Sequence, residues 1–368
     1  MSDPKETILE IDLGALEHNY HFLKSRLNPN TKFLAVVKAF AYGSEAIAIA
    51  KKMEALGVDY FAVAYTKEGA ILRDQGITTP ILVLHPQPVN FPELIDRCLE
   101  PSLYSARVLK AFMEAAKDSH QTDYPVHLKF NTGLNRLGFW ENDVAHVTAR
   151  LKDCKELKVV SLFSHLAASD DVTEGAFNKR QIERFTAITK KLENIWEHKP
   201  MYHLLNTSGI LNYPEGQFDM VRSGIGLYGY SNDPSIDKKL KAVGTLKTVI
   251  SQIHNIAAEE TVGYNRAYTA PGFRKIATLP LGHADGIGRI YGNARGTVMI
   301  NGKQAPIIGN VCMDMLMVDI TGIPCQEGDE VVLFGKGHSA EEVAAGASTI
   351  SYELLTGISQ RVKRIILS

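Results

Sequence analysis

The sequence predicts an α/β fold in which a (β/α)8 TIM-like barrel is followed by a mostly β C-terminal domain. Short apolar runs recur up to about residue 224, several gaps between them have helical periodicity, and the pattern changes after about residue 240. Unbroken apolar strands that alternate with helices indicate a parallel sheet covered on both faces, and eight such units in roughly 200 residues indicate a closed barrel. The eight runs are FLAVVK (33–38), YFAVAY (60–65), ILVLH (81–85), EPSLY (100–104), PVHLKF (125–130), VVSLFSH (159–165), YHLLN (202–206) and DMVRSG (219–224).

The gaps between these runs supply the predicted helices. SEAIAIAKKMEALG (44–57), ARVLKAFMEAAKD (106–118) and FNKRQIERFTAITKKLENIWEHK (177–199) carry apolar residues at three- and four-residue spacing. This spacing is typical of a helix with one buried face. The three segments therefore fit the alternation of strand and helix that a barrel requires.

The remainder of the chain predicts a second domain. After about residue 240, short β-type segments separated by glycine follow one another, among them GTVMING and DEVVLFG. One late helix is predicted at TISYELLTGI (349–358), and TILEIDL (7–13) could add a strand to this domain. We therefore expect an N-terminal strand of the β domain at 1–12, the barrel at 13–240 and the β domain at 241–368.

Charge and composition favour a small-molecule partner. Lys and Arg number 40 against 41 Asp and Glu, a formal net charge of -1, which gives no electrostatic reason to expect nucleic acid or an anionic membrane as partner. The opening MSDPKETILE has no basic stretch followed by an apolar one, and no run of about 18 uncharged apolar residues follows. The four cysteines lack C-x-x-C pairs and histidines at zinc spacing, so we expect no disulfide framework and no metal site. A cytoplasmic enzyme is the resulting expectation.

Polar residues stand at or near the ends of six apolar runs, namely Lys38, His85, Lys129, His165, Asn206 and Arg222. Any one of them could merely cap a strand beside solvent. Because the active site of such a barrel lies at the C-terminal ends of its strands, the six are candidates for one site. Lys38 follows a wholly apolar strand, where loss of hydration lowers the pKa of an amine and favours the neutral nucleophile that can form a Schiff base.

A glycine turn follows the last run, in VRSGIGLYG. Gly224 and Gly226 would leave backbone N–H groups uncovered at a helix start, where barrels of this type often bind phosphate. A glycine turn alone is more often only a tight turn, but the hydroxyls of NTS (206–208) could bind the same anion. A reactive lysine and a phosphate site in one barrel mouth together predict pyridoxal phosphate as cofactor.

Motifs spread over nearly the whole chain resemble those of the bacterial alanine racemases, the fold type III class of pyridoxal-phosphate enzymes. In chain order they are VVKAFAYG, KFNTGLNRLGF, SHLAASD, LLNTSG, VRSGIGLYG, VGYNRAY, ADGIGR, NVCMDMLMVD and SYELLTGISQRVKR. Their order and spacing are more specific than any single motif. The resemblance implies an isomerase that interconverts L-alanine and D-alanine and supplies D-alanine for peptidoglycan.

The resemblance also implies a cofactor site. Lys38 would hold the cofactor covalently, Arg222 would face its pyridine nitrogen, and His165 would lie against its ring. Because arginine does not surrender its proton in a protein, Arg222 would leave that nitrogen unprotonated and restrain side reactions such as transamination. The other cofactor-binding residues, mostly around the phosphate, would be Tyr42, Asn206, Thr207, Gly224, Ile225 and Tyr352.

Racemisation requires acid/base groups on both faces of the substrate. By resemblance, Lys38 covers one face, and Tyr264 from the β domain of a second subunit covers the other. A homodimer with shared sites would then be obligatory. A tyrosine with a pKa of about 10 is a poor base at neutral pH, so His165 and Arg222 would have to favour its phenolate.

The substrate carboxylate would be bound, by resemblance, by Arg136 and the backbone N–H of Met313, with Cys312 and Asp314 beside it. Without the resemblance, the segment around Met313 would be interpreted as an ordinary apolar strand with an acidic turn residue. Lys129 occupies the family position that often carries a carbamate, an anion that steers Arg136.

Four positions depart from the family pattern. Phe40 and Ser44 stand where an asparagine and a histidine are usual, Asn131 replaces an aspartate, and His283 replaces a tyrosine in the narrow access to the site. These residues adjoin the catalytic groups rather than replacing them. We expect them to change local hydrogen bonding, the carbamate and the dimensions and pH response of the access.

Three other functions stay open at this point. A broader amino-acid or serine racemase would use the same chemistry in a wider site. A decarboxylase of the same fold type would normally pair the pyridine nitrogen with a carboxylate, which the presence of Arg222 disfavours. A non-catalytic pyridoxal-phosphate-binding protein would need neither a second acid/base group nor a β domain.

Overall fold

The computed structural model describes residues 5–193, 195–231 and 233–368, and its strands form a closed parallel barrel, a nine-stranded sheet and a two-stranded ribbon. The strands are β1 (Ile8–Asp12), β2 (Lys32–Val36), β3 (Tyr60–Val63), β4 (Ile81–Val83), β5 (Glu100–Leu103), β6 (Tyr124–Lys129), β7 (Leu157–Phe163), β8 (Met201–His203), β9 (Met220–Ser223), β10 (Gly244–Val249), β11 (Gln252–Ile256), β12 (Thr261–Val262), β13 (Tyr268–Thr269), β14 (Arg274–Leu279), β15 (Thr297–Ile300), β16 (Lys303–Ile308), β17 (Leu316–Asp319), β18 (Glu330–Phe334) and β19 (Lys363–Leu367).

The helices lie mostly between the barrel strands. They are α1 (Leu13–Lys24), α2 (Lys38–Tyr42), α3 (Ala46–Ala55), α4 (Thr66–Asp74), α5 (Phe91–Asp96), α6 (Ala106–Asp118), α7 (Val144–Leu151), α8 (Gly175–Leu192), α9 (Thr207–Asn212), α10 (Pro234–Asp237), α11 (Ala340–Gly346) and α12 (Ser351–Thr356).

The predicted fold class is confirmed, because β2 to β9 form the closed parallel barrel and the chain after it is mostly β. The barrel closes between β2 and β9, where Leu34 pairs with Arg222. Every barrel strand overlaps one of the eight predicted runs, but the strand ladders end early. For example, β2 ends at Val36, so Lys38 lies beyond the ladder, at the C-terminal mouth of the barrel.

The predicted helices are present where their apolar spacing placed them. In α6 the buried residues include Val108, Phe112 and Ala116, and the Ser105 hydroxyl caps the first turn by accepting a hydrogen bond from the Val108 N–H. α3 lies within the predicted range 44–57. α8 ends at Leu192, earlier than predicted, and residue 194 of the predicted range lies outside the described residues.

The nine-stranded sheet joins the first strand of the chain to its last. Its order is β11-β14-β17-β16-β15-β18-β10-β1-β19, with β1 antiparallel to β10 and parallel to β19. A buried ion pair of 2.9 Å joins Glu10 of β1 to Lys247 of β10. The opening segment TILEIDL thus forms a strand of the same sheet as the C-terminal segments.

One continuous apolar cluster connects the barrel to this sheet. It includes Leu34 and Phe61 from barrel strands and Leu246 and Phe334 from the sheet. Burying this apolar surface is the main source of stability that holds the two parts together. In the part of the chain that the structure describes, no helix is both long and apolar enough to cross a membrane.

Candidate active site

A cavity of about 780 Å³ opens at the C-terminal ends of the barrel strands. Most of the predicted site residues line it, which places them within reach of a single ligand. They are Lys38, Tyr42, Lys129, Arg136, His165, Asn206, Thr207, Arg222, Gly224, Ile225 and Tyr352, and His85 also contributes to the wall. Among the described residues, no three His, Cys, Asp or Glu side chains cluster as a metal site requires.

The backbone after Lys38 makes a left-handed turn. The φ angles of Ala39, Phe40, Ala41 and Tyr42 are 53°, 54°, 54° and 55°. A left-handed conformation costs an L-residue roughly 1–2 kcal/mol, so four in succession persist only where the surroundings fix them. The turn directs both Lys38 and Tyr42 into the cavity.

Glu68 is one of the groups that fix this turn. As the third residue of α4, it accepts hydrogen bonds from the backbone N–H of Ala64 and Tyr65 at 2.7 and 3.2 Å. Its other carboxylate oxygen accepts from the Ala39 N–H at 2.6 Å. The sequence analysis did not identify Glu68, although a glutamate three residues after a helix start was the available signal.

A second fixing contact comes from the C-terminal strand. Arg364 of β19 donates to the carbonyls of Gly43 and Ser44 at 2.9 and 3.1 Å. The turn that carries Lys38 is therefore bound to the β sheet as well as to the barrel. Loss of hydration, followed by the nearby Arg136, lowers the pKa of Lys38, while Glu68 opposes this shift.

The end of the cavity beside β9 is shaped for a phosphate-sized group. Gly224 has no side chain, and Tyr42 packs over it. Thr207 begins α9, and its hydroxyl oxygen accepts a hydrogen bond from the Gly226 N–H at 3.3 Å. A Cβ on Gly226 would lie 2.5 Å from Thr207 Cγ2, so both glycines are required for this close packing.

Two aromatic hydroxyls and one amide complete this end. The ring of Tyr42 stacks on Tyr228 with centroids 4.6 Å apart and lies 5.9 Å from the ring of Tyr352. Asn206 caps α9, because its side-chain oxygen accepts from the Gly209 N–H at 2.9 Å. The prediction that the Gly226 N–H would be uncovered is wrong, because that group donates to Thr207. Hydroxyl groups and a helix start around a small concavity are nevertheless suited to an anion.

Arg222 is buried in the cavity wall, with only 4% of its surface exposed. Its N–H groups donate to the Ser164 and Leu204 carbonyls at 2.7 and 2.9 Å. They also lie 2.6 Å from His203 Nδ1 and 3.1 Å from His165 Nδ1. Burial lowers the pKa of Arg222 to about 9, so the guanidinium keeps its charge at neutral pH.

His165 stands beside Arg222 in one definite protonation state. Because a guanidinium can only donate, a hydrogen bond from Arg222 to His165 Nδ1 places the proton of the neutral ring on Nε2. Burial, and then the charge of Arg222, holds the pKa of His165 well below its ordinary value. The ring is therefore neutral near pH 7.

Lys129 is buried in the same wall, with its Nζ 5.7 Å from the centre of the Phe163 ring. Burial, followed by the charges of Arg136, Arg222 and Lys38, lowers the pKa of Lys129 to about 8. The wall thus concentrates basic groups that repel one another. An anionic ligand or an added negative group would relieve this repulsion.

The remaining predicted site residues do not line this cavity. Tyr264 and Met313 lie on the C-terminal portion and are 68% and 59% exposed. Cys312 accepts a hydrogen bond from the His283 N–H through its carbonyl at 2.9 Å, and the Asp314 carboxylate accepts one from Arg361 at 2.7 Å. Within one chain, the barrel cavity and this group of residues are separate.

The positions that depart from the family pattern have definite structural roles. Asn131 shapes the loop after β6, since its side-chain oxygen accepts from the N–H groups of Gly133 and Asn135 at 3.1 and 3.0 Å. Ser44 is buried at the end of the left-handed turn, and Phe40 on that turn is 55% exposed. His283 is exposed, and its backbone N–H donates to the Cys312 carbonyl.

Comparison with known proteins identifies relatives over the whole chain. Residues 11–232 match the family model for the alanine racemase N-terminal domain, and residues 243–366 match that for the C-terminal domain. Alanine racemase from Carboxydothermus hydrogenoformans is 38% identical over 97% of this chain and 98% of its own length.

Solved structures give the same result. Alanine racemase from Clostridium difficile superposes with a TM-score of 0.92 at 33% identity, covering 99% of this chain and 96% of that one. Alanine racemase from Bartonella henselae, solved with covalently bound pyridoxal phosphate, superposes with a TM-score of 0.90 at 30% identity, covering 99% of this chain and 100% of that one.

Proposed function

Because this chain belongs to the alanine racemase family of isomerases, we propose that it interconverts L- and D-alanine by a two-base mechanism with pyridoxal phosphate as cofactor. The observation that carries this proposal is the cavity itself, in which a lysine with a lowered pKa, a glycine-lined anion site and a buried arginine face one volume. A Bartonella henselae relative with covalently bound pyridoxal phosphate supports the choice of cofactor. When bound, that cofactor would supply the electron sink that acidifies the substrate Cα–H.

The phosphate would be held at the end of the cavity beside β9. Gly224 and Ile225 would offer backbone N–H groups there, and Tyr42, Thr207 and Tyr352 would offer hydroxyls. Asn206 would act next to them by holding the start of α9. The fit rests on the absence of side chains at the two glycines and on the surplus of basic groups in the wall.

Lys38 would hold the cofactor aldehyde covalently and, once released by the substrate, would serve as the base on one face. An amine accepts a proton only when it is neutral. Burial and the nearby Arg136 lower the pKa of Lys38, which increases the neutral fraction at physiological pH. The left-handed turn fixes the position from which Lys38 acts.

Arg222 would donate a hydrogen bond to the ring nitrogen and keep its own proton. Its other N–H groups are bound by carbonyls and imidazoles, so the guanidinium has one defined orientation. A permanent donor leaves the ring nitrogen unprotonated, which limits the carbanion charge that the ring accepts. His165 would pack beside the ring and help to place Arg222.

The opposite face would be served by Tyr264 from a second copy of the chain. Tyr264 is exposed and lies outside the cavity of its own chain, so an intramolecular role does not account for it. Exposed apolar residues on the C-terminal portion, among them Met313, Met315 and Ile290, are suited to burial against a partner. A homodimer with two shared sites follows from this requirement.

The substrate carboxylate would be bound by Arg136 from the barrel and by the Met313 N–H from the second copy, with Cys312 and Asp314 shaping the loop. Lys129, with a pKa of about 8, has a neutral fraction that can add carbon dioxide, losing one proton and forming a carbamate. Its negative charge would offset the neighbouring basic groups and orient Arg136.

The product would be used for peptidoglycan, and the reaction would take place in the cytoplasm. The alternative is a racemase of broader specificity, including serine, which would use the same residues in a wider site. A non-catalytic cofactor-binding protein is a weaker alternative, since it would leave the exposed Tyr264 without a role.

A chiral assay of purified protein with alanine, serine and larger amino acids tests the proposal. We expect alanine to racemise fastest and the protein to show the visible absorbance of a lysine-bound cofactor. Lys38→Ala should remove that absorbance and lower turnover more than about a hundredfold, whereas Lys67→Ala, at an exposed position of α4, should do neither. A colourless wild-type protein, or full activity in Lys38→Ala, would refute the assignment.

A further inference from the structure

A chain of buried polar side chains runs from the cavity wall into the barrel interior. Each of five consecutive strands, β5 to β9, contributes one member. In order these are Glu100, His127, Ser161, His203 and Arg222, and each is 8% exposed or less. We call them the interior chain.

The members are joined by short hydrogen bonds. Glu100 Oε2 lies 2.7 Å from His127 Nε2, and His127 Nδ1 lies 2.6 Å from Ser161 Oγ. Ser161 Oγ lies 2.9 Å from His203 Nε2, and His203 Nδ1 lies 2.6 Å from the Arg222 guanidinium. The chain is therefore continuous from a carboxylate to a guanidinium.

Ordinary packing does not account for this arrangement. The interior of such a barrel is usually filled with branched aliphatic side chains, and buried polar groups are costly unless every partner is present. A register shift in the β6–β7 ladder places Ser161 opposite His127. Such an irregularity re-aims side chains and is often found beside active sites.

The chemistry of arginine fixes the direction of the bonds at His203, and a neutral His127 fixes the others. A guanidinium only donates, so His203 Nδ1 must accept and the His203 proton must lie on Nε2. That proton is donated to Ser161, whose hydroxyl is then free to donate to His127 Nδ1. The His127 proton must lie on Nε2 and point at Glu100.

A doubly protonated His127 fits the contacts less well. Ser161 Oγ would then receive two donors, and its own hydroxyl hydrogen would have no acceptor within the interior chain. A second positive charge would also be buried near Arg222. Burial, and then the charge of Arg222, holds the pKa of His203 well below its ordinary value, which agrees with a neutral ring at that position.

We propose that Glu100 is the counter-charge of Arg222, acting through two neutral histidines and one serine, and that the interior chain is a positioning device for the guanidinium. The charge of Arg222 is thus balanced by a carboxylate that is not in direct contact with it. No carboxylate therefore competes with a ligand for its hydrogen-bond donors. The proposal rests on the proposed function in one respect, namely that Arg222 faces the cofactor ring. His127, Ser161, His203 and Glu100 are positioning residues, since they act through Arg222.

The first test is nitrogen NMR of the holoenzyme labelled with ¹⁵N-histidine, with His127 and His203 assigned by their replacement with glutamine. Each is expected to show a protonated Nε2 and an unprotonated Nδ1. A doubly protonated His127, or a proton on His203 Nδ1, would overturn the proposal. This readout does not depend on racemase activity, so it separates a failure of the interior chain from a failure of the proposed function.

The second test compares Glu100→Gln with Glu10→Gln. Glutamine at 100 can still accept from His127 but carries no charge, so kcat should fall about tenfold and the absorbance of the bound cofactor should shift. Glu10, a buried glutamate paired with Lys247 in the sheet, controls for loss of a buried carboxylate, and its variant should change neither. Wild-type kcat and absorbance in a folded Glu100→Gln would overturn the counter-charge role.

Discussion

The hydroxyl of Tyr42 lies over Gly224, in the space that a Cβ at Gly224 would occupy. This contact brings together a residue that follows β2 and one that follows β9, the two strands that close the barrel. The proposed phosphate site therefore depends on the absence of a side chain at Gly224, as it does at Gly226.

Gly224→Ala should displace Tyr42 and weaken cofactor binding by about tenfold or more, because a methyl group cannot fit without moving the phenol. Titration of cofactor-free protein with pyridoxal phosphate, followed by absorbance, measures this. Gly272→Ala is the control, since a Cβ there meets no atom within 4 Å. Equal affinities in the two variants would contradict the proposed phosphate site.

Mixing Lys38→Ala and Tyr264→Phe proteins should restore activity if sites are shared. Each variant alone lacks one of the two acid/base groups, but a hybrid dimer has one site with both. With random exchange, about a quarter of wild-type activity is expected. Absence of recovery, with hybrid dimers demonstrated by mass spectrometry, would show that Tyr264 does not act between subunits.

Lys129→Met should stabilise the cofactor-free protein at neutral pH by an amount of the order of 2 kcal/mol. The pKa of Lys129 falls from 10.5 to about 8 on folding, so the unfolded chain binds this proton more tightly. Wild-type stability should therefore rise relative to the variant between about pH 8 and 10.5. Urea unfolding across this range in buffer free of carbon dioxide measures the difference.

Lys51→Met, at an exposed position of α3, is the matched control for the preceding experiment. Its stability difference from wild type should not change with pH in that range. A flat difference curve for Lys129→Met as well would mean that Lys129 is not destabilised by burial.

Gly43→Ala should unfold more readily than Gly57→Ala. The two glycines have nearly the same φ, 78° and 76°, so an alanine at either position suffers the same backbone strain, about 1–2 kcal/mol. A Cβ at Gly43 would also clash with the Leu355 carbonyl, whereas one at Gly57 meets nothing within 4 Å. The additional loss should be about 1–3 kcal/mol, measured by thermal or urea unfolding.

Equal stabilities of Gly43→Ala and Gly57→Ala would be evidence against tight packing of α12 on the left-handed turn after Lys38. Because the position of Lys38 depends on that packing, Gly43→Ala should lose racemase activity as well as stability.

Apolar runs and helical spacing in the sequence were sufficient to predict the barrel, whereas much of its active-site wall, including Arg136 and Tyr352, was predicted only from the family resemblance. Unbroken apolar runs such as VVSLFSH predicted the strands of a parallel barrel. Polar residues at the ends of apolar runs then identified Lys38 and Arg222. These signals are local. Because the C-terminal ends of all barrel strands lie at one mouth, each signal also predicts where the residue lies in the fold.

Other features depend on contacts between distant segments and had no local signal. Three such contacts join residues from distant parts of the chain. They are the hydrogen bond from the Ala39 N–H to Glu68, the hydrogen bond from Arg364 to the Gly43 carbonyl, and the interior chain. A sequence shows that His127 and His203 lie in apolar strands, but not that Ser161 lies between them.

The order of strands and helices, the residues at the barrel mouth and the family could all be predicted from the sequence. These properties follow from hydrophobic spacing and from motifs, each read within a short segment. The folded structure was needed to show which polar groups pair, how far burial shifts the pKa of Lys129, and that Tyr264 lies outside the cavity of its own chain. Those outcomes depend on distance and solvent exclusion between residues remote in the chain, and no short segment contains that information.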